Sequence, residues 1–200
     1  MISLKRKLNC VLGLSVILFS VFSACDPKIE DSPQPGILRV TLESDPTDTT
    51  IIIVTDTLTV SDGDVFLISI FQGRSYQDST WGILYPSIES YQQEEIFYNL
   101  IRRENNEYQR FKIFESHLPP IAYNRIRFGI DSRFLKLRNF DEITVITPNN
   151  YYLNLPANFE IRENAVTELN VIVAPFKYIV RYKDTYIFQP EMEIVGINYY

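Results

Sequence analysis

Few side chains in this sequence of 200 residues have the type and spacing to do catalytic chemistry. The single histidine, His117, precedes Leu118-Pro119-Pro120 and has no histidine or cysteine partner, so neither a zinc site nor a histidine-based triad can be built on it. A solvent-exposed loop position is expected for it. Asp45 with Asp48, and Asp62 with Asp64, offer oxygen pairs of the kind calcium takes. Both pairs sit among turn-forming residues, where Asp serves the backbone, and no metal site is expected. Only 7 glycines occur and none builds a phosphate-cradling loop, so no cofactor is expected either. A catalytic pair of carboxylates follows no local spacing rule. A hydrolase using such a pair therefore stays as the alternative to a non-catalytic binding or structural module, which the missing histidine, cysteine and glycine-loop chemistry favours.

The two cysteines lie in and just after an expected leader. Lys5-Arg6-Lys7 is followed by an apolar run that contains Cys10 and closes in Val21-Phe22-Ser23-Ala24-Cys25. A basic start, a short apolar core and small residues before a cysteine predict a helical signal peptide over 1–24, cut by the lipoprotein pathway. Leu8 to Ala24 falls short of the roughly 20 residues that cross a bilayer. The motif resembles a bacterial lipobox, with Phe22 where leucine is usual. That resemblance implies Cys25 bearing a diacylglycerol and an amide-linked acyl chain such as palmitate. At roughly 0.8 kcal/mol per buried methylene, several chains make release from a membrane negligible.

Residues 25–36 hold three prolines among charged residues and predict an extended tether, about 3.1 Å per residue. Localisation to a bacterial cell envelope follows, with the outer membrane the expected anchor. Asp26 beside the lipidated cysteine retains lipoproteins at the inner membrane in some bacteria and not in others. Without Lys5, Arg6 and Lys7 the 19 basic side chains fall to 16 against 25 acidic ones, a net charge of −9. This argues against nucleic acid as a partner and against attraction to anionic head groups, so the lipid is the expected membrane contact. With only Cys25 left after cleavage, no intrachain disulfide can form, and the 176 remaining residues suffice for one domain held by its core.

From Ile37 the dominant period is two. Leu38, Val40 and Leu42 alternate with Arg39, Thr41 and Glu43; Ile143 and Val145, and Leu169, Val171 and Val173, repeat the pattern, as does the set Tyr186, Phe188, Met192 and Ile194. Thr49 to Val60 is β-branched nearly throughout, and Ser61-Asp62-Gly63-Asp64 predicts a hairpin into Val65-Phe66-Leu67-Ile68, with Asp-Gly supplying a positive φ. Turn signals separate roughly 8–10 strands over residues 37–196, the pattern of an all-β, antiparallel β-sandwich. One segment departs: Ser90 and Gln93 have capping-box spacing, and Ile96, Phe97, Leu100 and Ile101 recur at helical intervals, predicting a short helix within Ser90 to Arg103.

Within the strands, cations gather. If Tyr123 to Ile130 and Phe134 to Arg138 pair through a turn at Asp131-Ser132, then Ile126, Phe128, Ile130, Leu135 and Leu137 share one face. Arg125, Arg127, Lys136 and Arg138 share the other, a possible docking stripe for an anionic envelope glycan or an acidic envelope protein. The bland alternative is a solvated face whose charges pair with nearby carboxylates. Aromatics are abundant, 13 Tyr, 13 Phe and Trp81, and serve a core or sugar stacking equally. Trp81, Tyr151 and Tyr152 are the candidates for an exposed platform.

Three segments carry a family resemblance. Gly36-Ile37-Leu38-Arg39-Val40-Thr41-Leu42 with Asp45-Pro46, then Leu118-Pro119-Pro120-Ile121-Ala122-Tyr123-Asn124-Arg125-Ile126-Arg127-Phe128, then Thr185 to Ile194, are similar to the opening, middle and closing segments of the bacterial family called domain of unknown function 4382. The resemblance spans most of 36–196. It implies an envelope lipoprotein with a carbohydrate-binding-like or transthyretin-like β-sandwich, without a known activity, and it favours a strand near Phe97 to Ile101. The family's glycine before the tyrosine is replaced near Ile121-Ala122, and its Asp-Phe-Asp pattern reads Val171-Ile172-Val173-Ala174-Pro175. Any ligand or metal role of those acids would therefore not carry over.

Overall fold

The computed structural model describes residues 32–138, 140–149 and 151–200. The expected signal segment, Cys25 and the tether as far as Asp31 lie outside them. Among the described residues the strands are β1 (Gly36–Ser44), β2 (Thr50–Ile53), β3 (Asp56–Thr59), β4 (Val65–Gln77), β5 (Thr80–Leu84), β6 (Ile96–Asn99), β7 (Arg103–Glu104), β8 (Glu107–Tyr108), β9 (Phe111–Leu118), β10 (Ala122–Lys136), β11 (Val145–Ile146), β12 (Tyr152–Glu160), β13 (Val166–Val173), β14 (Ile179–Tyr182), β15 (Thr185–Phe188) and β16 (Met192–Tyr199). The fold is all-β, and nine of these strands build the two principal sheets of a β-sandwich. One sheet has the order β16-β13-β1-β9; the other runs β12-β10-β4-β5, with β6 also paired to β4.

Period-two alternation places the core as expected. Leu38, Val40, Leu42, Leu169, Val171 and Val173 are all buried, and they face the buried Ile126, Phe128 and Ile130 of the second sheet within one apolar core. Phe114 of β9 meets Phe128 of β10 with ring centroids 5.7 Å apart. A Cβ on Gly73 would lie 2.6 Å from the Phe114 ring, so a glycine in β4 is what lets the sheets close here. Most pairs are antiparallel, but β1 lies parallel to β13, with Ile37 opposite Val166, and β11 parallel to β15. A parallel pair needs a long crossover, and here most of the domain forms it.

Six expectations are corrected. Thr49 to Val60 is not one strand: β2 and β3 form their own hairpin, with Ile53 opposite Asp56 and Val54 at φ 56°. The Asp62-Gly63 turn joins β3 to β4 without pairing them, because β4 is claimed by β10, β5 and β6, and Gly63 adopts no positive φ. The helix within Ser90 to Arg103 does not form. The Ser90 hydroxyl donates to the Gln92 carbonyl at 2.8 Å rather than capping a helix, and Ile96–Asn99 pairs with Leu67 to Ile70 of β4. Pairing to an open edge and burial of Leu100 and Ile101 override the local period. Tyr186 to Ile194 divides at Pro190 into β15 and β16, which belong to different sheets. His117 is exposed, but it lies in β9 opposite Ile37 rather than in a loop.

The sixth correction bears on function. Tyr123 to Arg138 contains no hairpin, and β10 is a single strand running through Asp131-Ser132, paired with β12 on one side and β4 on the other. Ile130 and Leu135, five residues apart, would fall on opposite faces of a regular strand. Yet both are buried. Between Ser132 and Phe134 the register against β4 shifts, leaving Arg133 as an extra residue, and this bulge restores the inward face for Leu135 and Leu137.

Candidate functional site

The outer face of the second sheet follows from its register. Arg125 of β10 lies opposite Tyr76 of β4, which lies opposite Trp81 of β5; Arg127 lies opposite Arg74; Gly129 lies opposite Phe71 and Tyr152. Side chains directly opposite share a face, so three arginines and four aromatic rings interleave across four strands. Each arginine stacks on a ring. The Arg74 guanidinium sits 4.3 Å from the Trp81 centroid, Arg125 4.3 Å from Tyr76, and Arg127 4.3 Å from Tyr152. Such stacking is worth about 0.5–2 kcal/mol and holds the planar fork flat along the sheet.

Among the described residues none of these three arginines pairs with a carboxylate. Arg125 donates through Nη2 to the Asp78 carbonyl at 3.3 Å, whereas the Nε–H groups of Arg125 and Arg127 are covered and meet no acceptor. Burial pushes the Tyr76 phenol up, but the Arg74 and Arg127 guanidiniums beside its hydroxyl outweigh burial and hold it below its ordinary value. The other principal sheet is the contrast. There Arg39 pairs with Glu115 at 2.8 Å and Glu168 at 3.4 Å, while Lys112 reaches Glu115 at 2.5 Å. One face is neutralised across its strands; the other carries cations on aromatic rings.

A bulge sits in the middle of the cationic face. Arg74 lies opposite Arg127 and Phe71 opposite Gly129, so Gln72 and Gly73 of β4 together oppose the single Phe128. Gln72 has φ 53°, a conformation that costs a residue with a Cβ on the order of 1 kcal/mol. Its side-chain oxygen accepts from the Tyr152 hydroxyl at 2.5 Å. On one side of it lies a groove of about 100 Å³ lined by Gln72, Arg74, Arg127 and Tyr152. On the other lies a cleft of about 390 Å³, whose walls include Phe71, Gln93, Glu95, Asp131, Asn149 and Tyr151. Phe71 covers Gly129, where any Cβ would overlap its ring, and meets Tyr152 edge-on at 5.9 Å.

Of the four stripe cations, the structure brings Arg125 and Arg127 together and leaves Lys136 and Arg138 apart. Nine residues of strand, about 30 Å, separate Arg127 from Lys136. Lys136 is exposed, and Arg138 serves the fold, donating from its backbone to Asp64 Oδ1 at 2.9 Å and from Nη2 to the Thr59 carbonyl at 3.0 Å. Trp81 and Tyr152 lie on the cationic face, each covered by an arginine, while Tyr151 lines the cleft and donates to the Pro190 carbonyl at 3.0 Å. The three do not make one bare platform. Arg74, Tyr76, Phe71 and Gln72 join the site only through the pairing of β4 with β10, which no local pattern records. The sequence signal was faint: Arg74 and Tyr76 alternate within Gly73-Arg74-Ser75-Tyr76. Cys25 lies outside the described residues.

Three of the four paired aspartates serve the backbone. Asp45 Oδ1 accepts from the Thr47 amide at 2.8 Å, Asp48 Oδ2 from the Phe176 amide at 2.7 Å, and Asp64 Oδ2 from the Ser61 amide at 2.7 Å. Among the described residues no three metal-ligating side chains converge. Glu95 and Asp131 are the carboxylates of the cleft, and Arg133 pairs with both, reaching Asp131 at 3.7 Å. The Ser69 hydroxyl and the Arg133 guanidinium beside Glu95 hold its carboxyl below the usual range, the reverse of what a general acid needs. No family model, curated protein or solved structure matches this chain.

Proposed function

We propose that this protein is a non-catalytic binding module of the bacterial cell envelope, anchored by a lipid on Cys25, whose outer sheet face docks an anionic ligand. The observation that carries the reading is that Arg74, Arg125 and Arg127 are stacked on rings without a carboxylate partner among the described residues, in a chain whose expected mature charge is −9. Structural arginines in an acidic domain find carboxylates easily, as Arg39 does. Three that do not, held flat on aromatic rings, present guanidinium donors of the kind that carboxylate or phosphate groups fit. The leader, the extended tether and the resemblance of three segments to an envelope lipoprotein family support the same reading.

The test is retention of the full chain, in detergent, on an immobilised carboxylated polysaccharide at low salt. Arg74→Gln with Arg127→Gln should abolish a salt-sensitive retention while shifting the thermal midpoint by only a few degrees. An unretained wild-type protein would end the docking reading. For the anchor, Cys25→Ser should move the protein from the detergent phase to the aqueous phase in a partition assay. A Cys25→Ser protein that is processed normally and stays in the detergent phase would rule out lipidation.

A further inference from the structure

The two recesses flanking Gln72 ask for different things of a ligand. The groove offers donors, the forks of Arg74 and Arg127, and takes negative charge. The cleft offers mostly acceptors and amides: Glu95 and Asp131 carboxylates, the amides of Gln93 and Asn149, and the rings of Phe71 and Tyr151. Its volume, about 390 Å³, falls within the range of small-ligand sites. Arg133 compensates the two carboxylates only in part, so a plain polyanion gains at the groove and is repelled at the cleft. A neutral sugar gains at the cleft and leaves the arginines unanswered.

A ligand that satisfies both has hydroxyl donors and an apolar ring face in one unit and a carboxylate in the next. We infer that the face binds a uronate-type acidic oligosaccharide, one ring seated in the cleft against Phe71 and Tyr151 and the carboxylate of the adjoining unit on Arg74 and Arg127. This rests on the anion-docking reading and narrows it. The bulge at Gln72 is what makes the two recesses adjacent: an extra residue at φ 53° turns the amide outward between them, and the Tyr152 hydroxyl holds it there. Sugar hydroxyls donate to the carboxylates and amide oxygens, and the guanidinium forks donate to the uronate, so each recess receives its complement.

The experiment is calorimetric titration of the full chain in detergent with four probes: a short oligogalacturonate, its methyl ester, polyglutamate and inorganic phosphate. Oligogalacturonate should bind at least tenfold more tightly than its methyl ester, which keeps every hydroxyl but loses the charge, and than polyglutamate, which keeps the charge but lacks the hydroxyls. Asn149→Ala should weaken oligogalacturonate severalfold and leave polyglutamate unchanged. Arg127→Gln should weaken both, and Arg127→Lys should restore only part of the loss because an ammonium lacks the fork. Equal binding of polyglutamate and oligogalacturonate, with no effect of Asn149→Ala, would overturn the sugar assignment and leave the anion-docking face standing. Absence of binding to all four probes at low salt would remove both.

Discussion

At the scale of single residues, the protein separates polar groups that hold the fold from polar groups left available. Asp48 and Asp64 spend their carboxylates on backbone amides, and Glu115 is held below its ordinary value because Lys112 and Arg39 outweigh the burial that pushes it up. Among the described residues Arg74 and Arg127 have no such carboxylate. Two tyrosines give the stability a recognisable pH dependence. Burial pushes the Tyr98 phenol up to about 12, and it pushes Tyr108 up to about 12 as well, with Asp48 and Asp45 adding to the effect against the pull of Arg103. The unfolded chain ionises both near 10, so the neutral form is the one the fold favours. Their stabilisation is complete below about pH 10 and is lost as pH rises towards 12, on the order of 2 kcal/mol for each. The urea midpoint measured from pH 9 upwards should therefore fall above pH 10, and Tyr98→Phe should shallow that fall. An equally steep fall in Tyr98→Phe would locate its cause elsewhere.

At the scale of elements, β10 organises the molecule. It is an interior strand of the second sheet, it carries Arg125 and Arg127 outwards, and it buries Ile126, Phe128 and Ile130 inwards. Its bulge at Arg133 keeps Leu135 and Leu137 in the core. Deleting Arg133 should flip those two leucines to the solvent face, because side-chain direction in a strand has a period of two. Losing two buried leucines at roughly 2–5 kcal/mol each rivals a typical total stability of about 5–15 kcal/mol. The deletion variant should therefore fail to show a cooperative thermal transition. Arg133→Ala keeps the register and gives up its pairs with Glu95 and Asp131, partly exposed contacts worth about 0–1 kcal/mol. It should melt within a few degrees of wild type. If deletion and substitution behave alike, the bulge does not set the register.

At the scale of the molecule, strands from the two ends of the domain meet. Ile37 lies beside Val166, and Thr167 beside Tyr199, so the first sheet closes only when distant segments find one another. Nonlocal pairing of this kind folds in milliseconds to seconds or more slowly, because loop-closure entropy is spent before the contacts form. Residues 33–200, produced alone under reducing conditions, should refold on that timescale to a helix-free circular dichroism spectrum. A helical spectrum, or a need for oxidation or metal, would contradict the fold.

Alternation along the chain was enough to specify an all-β sandwich and the inward residues of β1, β10 and β13, because burial on one face of a strand imposes its period directly on the sequence. The expected leader and tether rest on composition and local order, and as far as Asp31 they lie outside the described residues. Tertiary structure alone decided which strands pair. Ser90 to Arg103 carries a helical period, yet β6 forms because an open edge of β4 and the core beneath it outweigh local preference. Asp131-Ser132 reads as a turn, yet β10 runs through it because a bulge restores the inward face. The candidate site belongs to this second class: Arg74 and Trp81 reach Arg127 and Tyr152 only across hydrogen-bonded strands, and no spacing within one segment records a neighbour on another.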